Sequence, residues 1–207
     1  MSNPFVPVAV PDQGLPAARV EALLACRPRA GQVALLCDTR PLHRLLGRYR
    51  GGRGLNAGRA GRAQAGSAGR YRGVGEHVAM RMPLPGAPIV TAGCPPEAVA
   101  ARMARLSDRI GALLGDLPAP DRARAELVAI FTEFLLIHPY MDGNGRVARI
   151  LFRRGAALLD LPLSPRWTLD ARPYGAGLSM SLLGARRAPQ MMDRFMDRYF
   201  ADPRAAG

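Results

Sequence analysis

The sequence has no lysine. Its 29 basic residues are all arginine, set against 16 acidic residues, for a formal net charge of +13. Cysteine is also scarce: Cys26, Cys37 and Cys94 form no metal-spaced pair, and their odd number argues against a disulfide framework. No apolar stretch approaches the roughly 18 residues needed to cross a bilayer, so no membrane association is expected. The first residues, MSNPFVPVAVPDQG, lack the basic start and continuous apolar segment of a signal peptide, which makes a cytoplasmic location the expectation. Aromatic residues make up 6% of the chain and are little interleaved with the arginines. With no RNA-recognition signature and no helix-turn-helix spacing, nucleic acid is not expected as a partner. A charge of this size also suits an acidic partner or a polyanionic ligand such as a nucleotide. The arginines are spread over the whole chain, however, so a compositional bias toward Ala, Arg, Gly and Pro is the preferred explanation.

What is present is enough for a core. The 207 residues are 48% hydrophobic and 22% charged, as in one ordinary globular domain with or without an appendage. Helical apolar spacing runs through LPAARVEALLAC (15–26), with Pro28 as a stop, and VALL (33–36) reads as part of a buried element. RPLHRLLGRY (40–49) predicts a short amphipathic helix. The Gly-, Ala- and Arg-rich stretch 51–70 has almost nothing to bury and predicts a flexible loop. Partial alternation in YRGVGEHVAMRM (71–82) predicts a hairpin of two short strands closed by Pro83 and Pro85. Strong helices follow over 95–117, 121–137 and 146–161, with two more near 172–184 and 188–200. The second half of 121–137 is apolar nearly all round, which predicts a central, buried helix. The expected fold is mainly α with one hairpin.

Between two of these helices lies HPYMDGNGR (138–146). Pro139 should end the preceding helix and leave His138 at its C-terminal end, where terminal carbonyls favour an imidazole. Gly143 and Gly145 permit backbone angles that expose successive N–H groups just where the next helix starts, and such groups form an anion site. Arg146 and Arg149, three residues apart, share one face of that helix's first turn and can grip phosphate with paired donors. Asp142, a carboxylate beside a phosphate site, points to Mg²⁺. The residues together predict a site for a polyphosphate, its metal and a nearby base.

HPYMDGNGRVAR resembles the Fic family signature, His-Pro-Phe-x-Asp/Glu-Gly-Asn-Gly-Arg-x-x-Arg. The one departure is Tyr140, which adds a hydroxyl needing a partner at a core position and leaves the chemistry untouched. LHRLL (42–46), the glycine-rich stretch and GRYRGVGEHVAM (69–80) resemble the family's helix, loop and flap hairpin, so the likeness covers about 33–200. It implies a Fic-fold helical bundle with a short β-hairpin flap beside the active site. The implied division is an N-terminal segment with one short helix (1–32), a Fic domain (33–201) and a tail (202–207). Within the domain would lie the loop 51–70, the flap 70–82 and the motif 138–149.

The resemblance also implies a reaction: transfer of AMP from ATP to a Tyr, Thr or Ser hydroxyl of a target protein, with release of pyrophosphate. His138 would be the general base. Asp142 would hold Mg²⁺ against the α- and β-phosphates. The N–H groups of Gly143, Asn144 and Gly145 would cradle the phosphates, with Asn144 also anchoring the α-phosphate, and Arg146 and Arg149 would bind the β- and γ-phosphates. The flap would dock the target by strand addition. Relatives that bind the nucleotide reversed and phosphorylate typically lose the first motif glycine and the second arginine, and a few others transfer from CDP-choline. Gly143 and Arg149 are both kept here, which favours AMP transfer, and the intact His138 and Asp142 count against a non-catalytic basic binding module.

Plainer roles compete for single residues. A lone histidine at a helix end is more often a cap than a base, and Asp before Gly often only satisfies turn amides. Arg153 and Arg154 suit a solvated face or helix ends. His43 and His77 suit surface or packing positions, and Glu126 and Glu133 suit arginine partners. Many family members inhibit themselves through Ser/Thr-x-x-x-Glu-Gly/Asn, yet no glutamate here has Ser or Thr four residues earlier. Glu21, as Ala-x-x-x-Glu-Ala, is the nearest candidate and reads as packing. Inhibition would then come from a small antitoxin-like partner in trans, or be absent, as in an effector delivered into a host cell.

Overall fold

The computed structural model describes residues 16–46, 68–82, 89–169, 175–185, 188 and 190–201. Most of the glycine-rich loop 51–70, the chain before Pro16, and the tail 202–207 lie outside the described residues. Eight helices are described: α1 (Ala17–Ala25), α2 (Arg29–Cys37), α3 (Arg40–Leu45), α4 (Val99–Asp116), α5 (Pro120–Ile137), α6 (Asn144–Leu158), α7 (Gly175–Ala185) and α8 (Gln190–Met196). Two antiparallel strands, β1 (Ala79–Met82) and β2 (Ile89–Ala92), stand between α3 and α4. The protein is mainly helical, as its periodicity predicts, and no helix among the described residues is long and apolar enough to cross a membrane.

Proline and glycine set the breaks. Pro16 and Pro28 precede the first turns of α1 and α2, and Pro120 opens α5, positions where a missing N–H costs nothing. Position 32, at which the sequence suggests a division of the chain, lies within α2. The buried residues of α4, Val99, Met103, Leu106, Ile110 and Leu113–Leu114, keep the 3.6-residue period. In α5 the buried set widens to Leu127, Val128, Ile130, Phe131, Phe134, Leu135 and Ile137, as expected of a central helix. α5 and α6 meet closely at Gly155, where a Cβ would come within 2.7 Å of Leu127. Each fully buried Leu, Ile or Phe at this junction contributes about 1.5–3 kcal/mol relative to exposure.

Arginine does structural work that lysine could not do as well. Arg29 donates from Nη1 to the Leu158 carbonyl (2.8 Å) and from Nη2 to the Leu114 carbonyl (3.0 Å), so one planar fork closes the ends of α6 and α4. Arg109 on α4 pairs with Glu126 (2.8 Å) and Glu133 on α5, which assigns both glutamates as arginine partners. These pairs are partly exposed and contribute about 1 kcal/mol at most.

The hairpin expected over 70–82 is not formed there. Residues 71–78 hold a turn in which Gly75 has φ +82° and the Gly73 N–H donates to the Glu76 carboxylate (2.6 Å). The paired strands run instead in the register Ala79↔Ala92 to Met82↔Ile89. Pro83 and Pro85, which the sequence marks as the end of the hairpin, lie outside the described residues, in the stretch of sequence between the two strands. Proline suits a connection and not a ladder, which makes the prolines equally good markers of either arrangement.

Candidate active site

α5 ends at His138, whose N–H still donates to the Phe134 carbonyl (3.0 Å). Pro139 forbids another turn, and His138 takes the left-handed conformation (φ +53°, ψ +60°) as the cap. The chain turns away from the helix axis at the residue that carries the imidazole.

Tyr140 then plunges into the core with no exposure. Its ring stacks on His43 at a centroid distance of 3.8 Å and an interplanar angle of 4°. Its hydroxyl, the group that departs from the family signature, shares a hydrogen bond of 2.7 Å with the buried Thr39 hydroxyl. Burial pushes the ionisation of this phenol far upward, so it stays a neutral donor or acceptor. Tyr140→Phe should therefore cost about 1–2 kcal/mol by leaving Thr39 short of a partner. A denaturation midpoint equal to or above the parent's would show that Thr39 does not depend on Tyr140.

Asn144 closes the loop on itself. Its Oδ1 accepts from the Tyr140 N–H (2.9 Å) and its Nδ2 donates to the Tyr140 carbonyl (2.7 Å). Its side chain is thus a clamp on the loop, and its backbone N–H belongs to the first turn of α6. Gly143, with φ +77°, caps α6, and its carbonyl accepts from Arg146 and Val147. The N–H groups of Gly143, Asn144 and Gly145 have no acceptor among the described residues. Three consecutive unsatisfied amides at the start of a 15-residue helix carry the positive end of its dipole.

Both motif arginines lie beside these glycines. A Cβ on Gly143 would lie 3.6 Å from Nη2 of Arg146, and one on Gly145 would lie 3.3 Å from Nη1 of Arg149. Arg149 is 4% exposed and is steadied by its Nε, which donates to the Leu169 carbonyl (2.6 Å). Arg146 is more open and reaches the Leu46 carbonyl at 3.4 Å. Asp142 is exposed and its carboxylate has no hydrogen-bond partner among the described residues.

Two residues that sequence reasoning passed over hold this loop. His43, buried to 6% exposure, accepts the Gly69 N–H at Nδ1 (2.8 Å), which leaves Nε2–H to donate to the Asp142 carbonyl (3.0 Å). Burial, aided by the nearby Arg146, lowers its pKa and keeps it neutral, while its bond to Asp142 opposes the shift. The same ring abuts Gly143, where a Cβ would stand 3.3 Å away. Arg72, 3% exposed, donates to the carbonyls of His138, Ile137, Cys94 and Glu76. Nothing in either local sequence separates these residues from packing or surface ones, because their partners are backbone atoms far along the chain.

The strand pair reaches this centre through its lower end. Gly93 donates to the Val78 carbonyl (3.1 Å), and a Cβ on Gly93 would lie 3.6 Å from Cβ of His138. A groove of about 710 Å³ lies elsewhere, along the C-terminal half of α6 and residues 160–167, and none of its lining residues belongs to the loop 138–149.

A model of the Fic/DOC family matches residues 42–154, more than half of the chain, and spans all of these groups from His43 to Arg149. The chain belongs to the Fic/DOC family. No curated protein and no solved structure matches it. Within the Fic/DOC match, the fold brings His138, Gly143, Asn144, Gly145, Arg146 and Arg149 to one loop and one helix start. Asp142 stands at the exposed edge of that loop.

Proposed function

We propose that this Fic/DOC protein is a protein adenylyltransferase that moves AMP from ATP to a Tyr, Thr or Ser hydroxyl of a target protein. The observation that carries the reading is the set of three unpartnered amides at Gly143–Gly145, flanked by two guanidinium groups and preceded by His138 on the same turn. Such an arrangement binds a polyphosphate and places a base next to it.

In the reaction, the His138 imidazole takes the proton of the incoming hydroxyl as its oxygen bonds to the α-phosphorus. The bond from that phosphorus to the bridging oxygen breaks, and pyrophosphate leaves. The amides of Gly143, Asn144 and Gly145 donate to the phosphates, and Arg146 and Arg149 take the charge that builds on the departing β- and γ-phosphates. Because the amides are held by the Asn144 clamp and the His43 bond, they need no reorganisation as charge develops.

A divalent cation fits the donors present. Asp142 offers one exposed carboxylate without a protein partner, and no cluster of three His, Cys, Asp or Glu exists among the described residues. That is the chemistry of Mg²⁺, which takes one or two carboxylates and completes its shell with phosphates and water. When bound it neutralises phosphate charge. The antiparallel pair β1–β2 offers an edge to which an extended target segment can add, with its end at Gly93 beside His138.

Intact-mass analysis of the protein after incubation with Mg²⁺ and ATP tests the reading. A gain equal to one AMP is expected on the protein or on an added acceptor. A phosphate-sized gain instead would assign the reversed, phosphorylating orientation.

Regulation by Glu21 has a separate test. Glu21 pairs with Arg154 (2.8 Å) and lies 3.8 Å from Arg153, not with Arg146. Arg154 stands eight residues further along α6, ~12 Å of helix away from Arg146. Glu21→Gly should therefore leave the transfer rate at the parent's value, with a stability loss of at least about 1 kcal/mol from glycine in a helix. A tenfold activation, about 1.4 kcal/mol of barrier, would mean that the chain inhibits itself. An inhibitor of this protein would act in trans, supplying a carboxylate to Arg146.

A further inference from the structure

A left-handed residue other than glycine is strained and persists only where its surroundings hold it. His138 is such a residue, and it stands where α5 leaves its last carbonyls without intrahelical partners. One side chain and its own amide answer for all three carbonyls around it. Arg72 Nη2 donates to the Ile137 carbonyl (3.0 Å), Arg72 Nε donates to the His138 carbonyl (2.8 Å), and the Arg72 N–H donates to the Pro139 carbonyl (2.9 Å).

The consequence is geometric. The peptide planes before and after His138 carry the Ile137 and His138 carbonyls, and a residue's two soft torsions are set by the orientation of those two planes. A planar guanidinium bonded to both holds φ and ψ of His138 together, and with them the origin and direction of its side chain. The remaining donors run the other way: Nη1 to the Glu76 carbonyl (3.2 Å) and Nη2 to the Cys94 carbonyl. Arg72 forms no ion pair with a carboxylate among the described residues, and its burial lowers its pKa against the pull of nearby glutamates. A buried cation that meets only carbonyls is used for direction, since a carboxylate partner would neutralise it more cheaply. It also crowds Gly93, where a Cβ would lie 3.3 Å from Arg72 Nη2 and 2.8 Å from Val78.

We infer that Arg72 is the positioning residue of the catalytic base: it sets the backbone of His138 and ties it to the two segments that flank one end of the strand pair, at Glu76 and Cys94. The inference rests on the reading of His138 as the base. It predicts that loss of Arg72 leaves the phosphate site intact, because no hydrogen bond of Arg72 among the described residues goes to residues 142–149.

The test compares the parent with Arg72→Met and Arg72→Lys. In Arg72→Met kcat should fall roughly 100-fold, the effect of a base misplaced by about 1 Å, while KM for ATP stays within about threefold. Arg72→Lys should recover part of kcat, since an ammonium reaches some of the carbonyls but cannot hold two peptide planes in one fork. The imidazole spectrum of ¹⁵N-histidine protein supplies a readout independent of activity, with only three histidines to assign. His138 signals should move in Arg72→Met while those of His43 stay in place. Parent-like kcat with an unmoved His138 would overturn the inference, as would equal losses in kcat and ATP affinity with both histidines displaced. If Arg72→Met does not fold, the Arg72→Lys spectrum and its kcat-to-KM split decide by the same criteria. A parent that transfers no AMP would remove the adenylyltransferase reading, and the histidine spectrum would still judge Arg72.

Discussion

His138→Ala is expected to abolish transfer while leaving the protein folded and able to bind ATP. A general base contributes about 10²–10⁴-fold, and it acts only in the step in which the hydroxyl proton leaves. The proposed phosphate site should not depend on the imidazole, because its amides belong to Gly143–Gly145 and its clamps to Asn144 and His43. The fold should tolerate the change as well. Alanine can take the left-handed backbone at a modest extra cost, and hydrogen bonds to that backbone come from Arg72 and Phe134. Calorimetric ATP binding near the parent's value with no transfer is the expected pair of results. Transfer at the parent's rate would remove His138 from the reaction.

Arg149→Ala should have the second largest effect, and a different one. Its guanidinium lies beside Gly145 and is nearly buried, and in the proposed reaction it would meet the phosphates in both the ground state and the transition state. ATP affinity and kcat should fall together, with a rate loss of about 10²–10³, the usual consequence of removing a preorganised donor. Stability should fall too, by about 1.5–3 kcal/mol, because the Leu169 carbonyl loses a charged donor at 2.6 Å. Arg149→Lys separates the two roles, keeping the charge but not the fork. ATP affinity equal to the parent's, with stability alone reduced, would make Arg149 an anchor for residues 167–169.

The loop 138–149 was legible because its determinants are local. Pro139 ends α5, Gly143 takes the left-handed angle that starts α6, and Arg146 and Arg149 share a helix face through their spacing alone. The buried faces of α4, α5 and α6 follow from the same short-range periodicity. What escaped was long-range. His43 reads as one more residue of a short amphipathic helix, yet its partner is a carbonyl 99 residues away. Arg72 reads as one arginine among many, and its value lies in four carbonyls that no pattern announces. The strand pair was misplaced for a related reason. Alternation toward Met82 indicates a strand but not its partner, and Glu76 captures residues 73–76 into a turn before they can pair. Tyr140 is the intermediate case: its hydroxyl demanded a partner, and only the fold supplied Thr39.

The most direct measurement uses ATP labelled at either the α- or the γ-phosphorus, incubated with Mg²⁺, the protein and a mixture of cellular proteins, with His138→Ala run in parallel. Adenylate transfer predicts α-label retained on protein with the parent and not with the variant, and γ-label recovered entirely as pyrophosphate. Retention of γ-label on protein, equal α-label with parent and variant, or no label on any protein would contradict it.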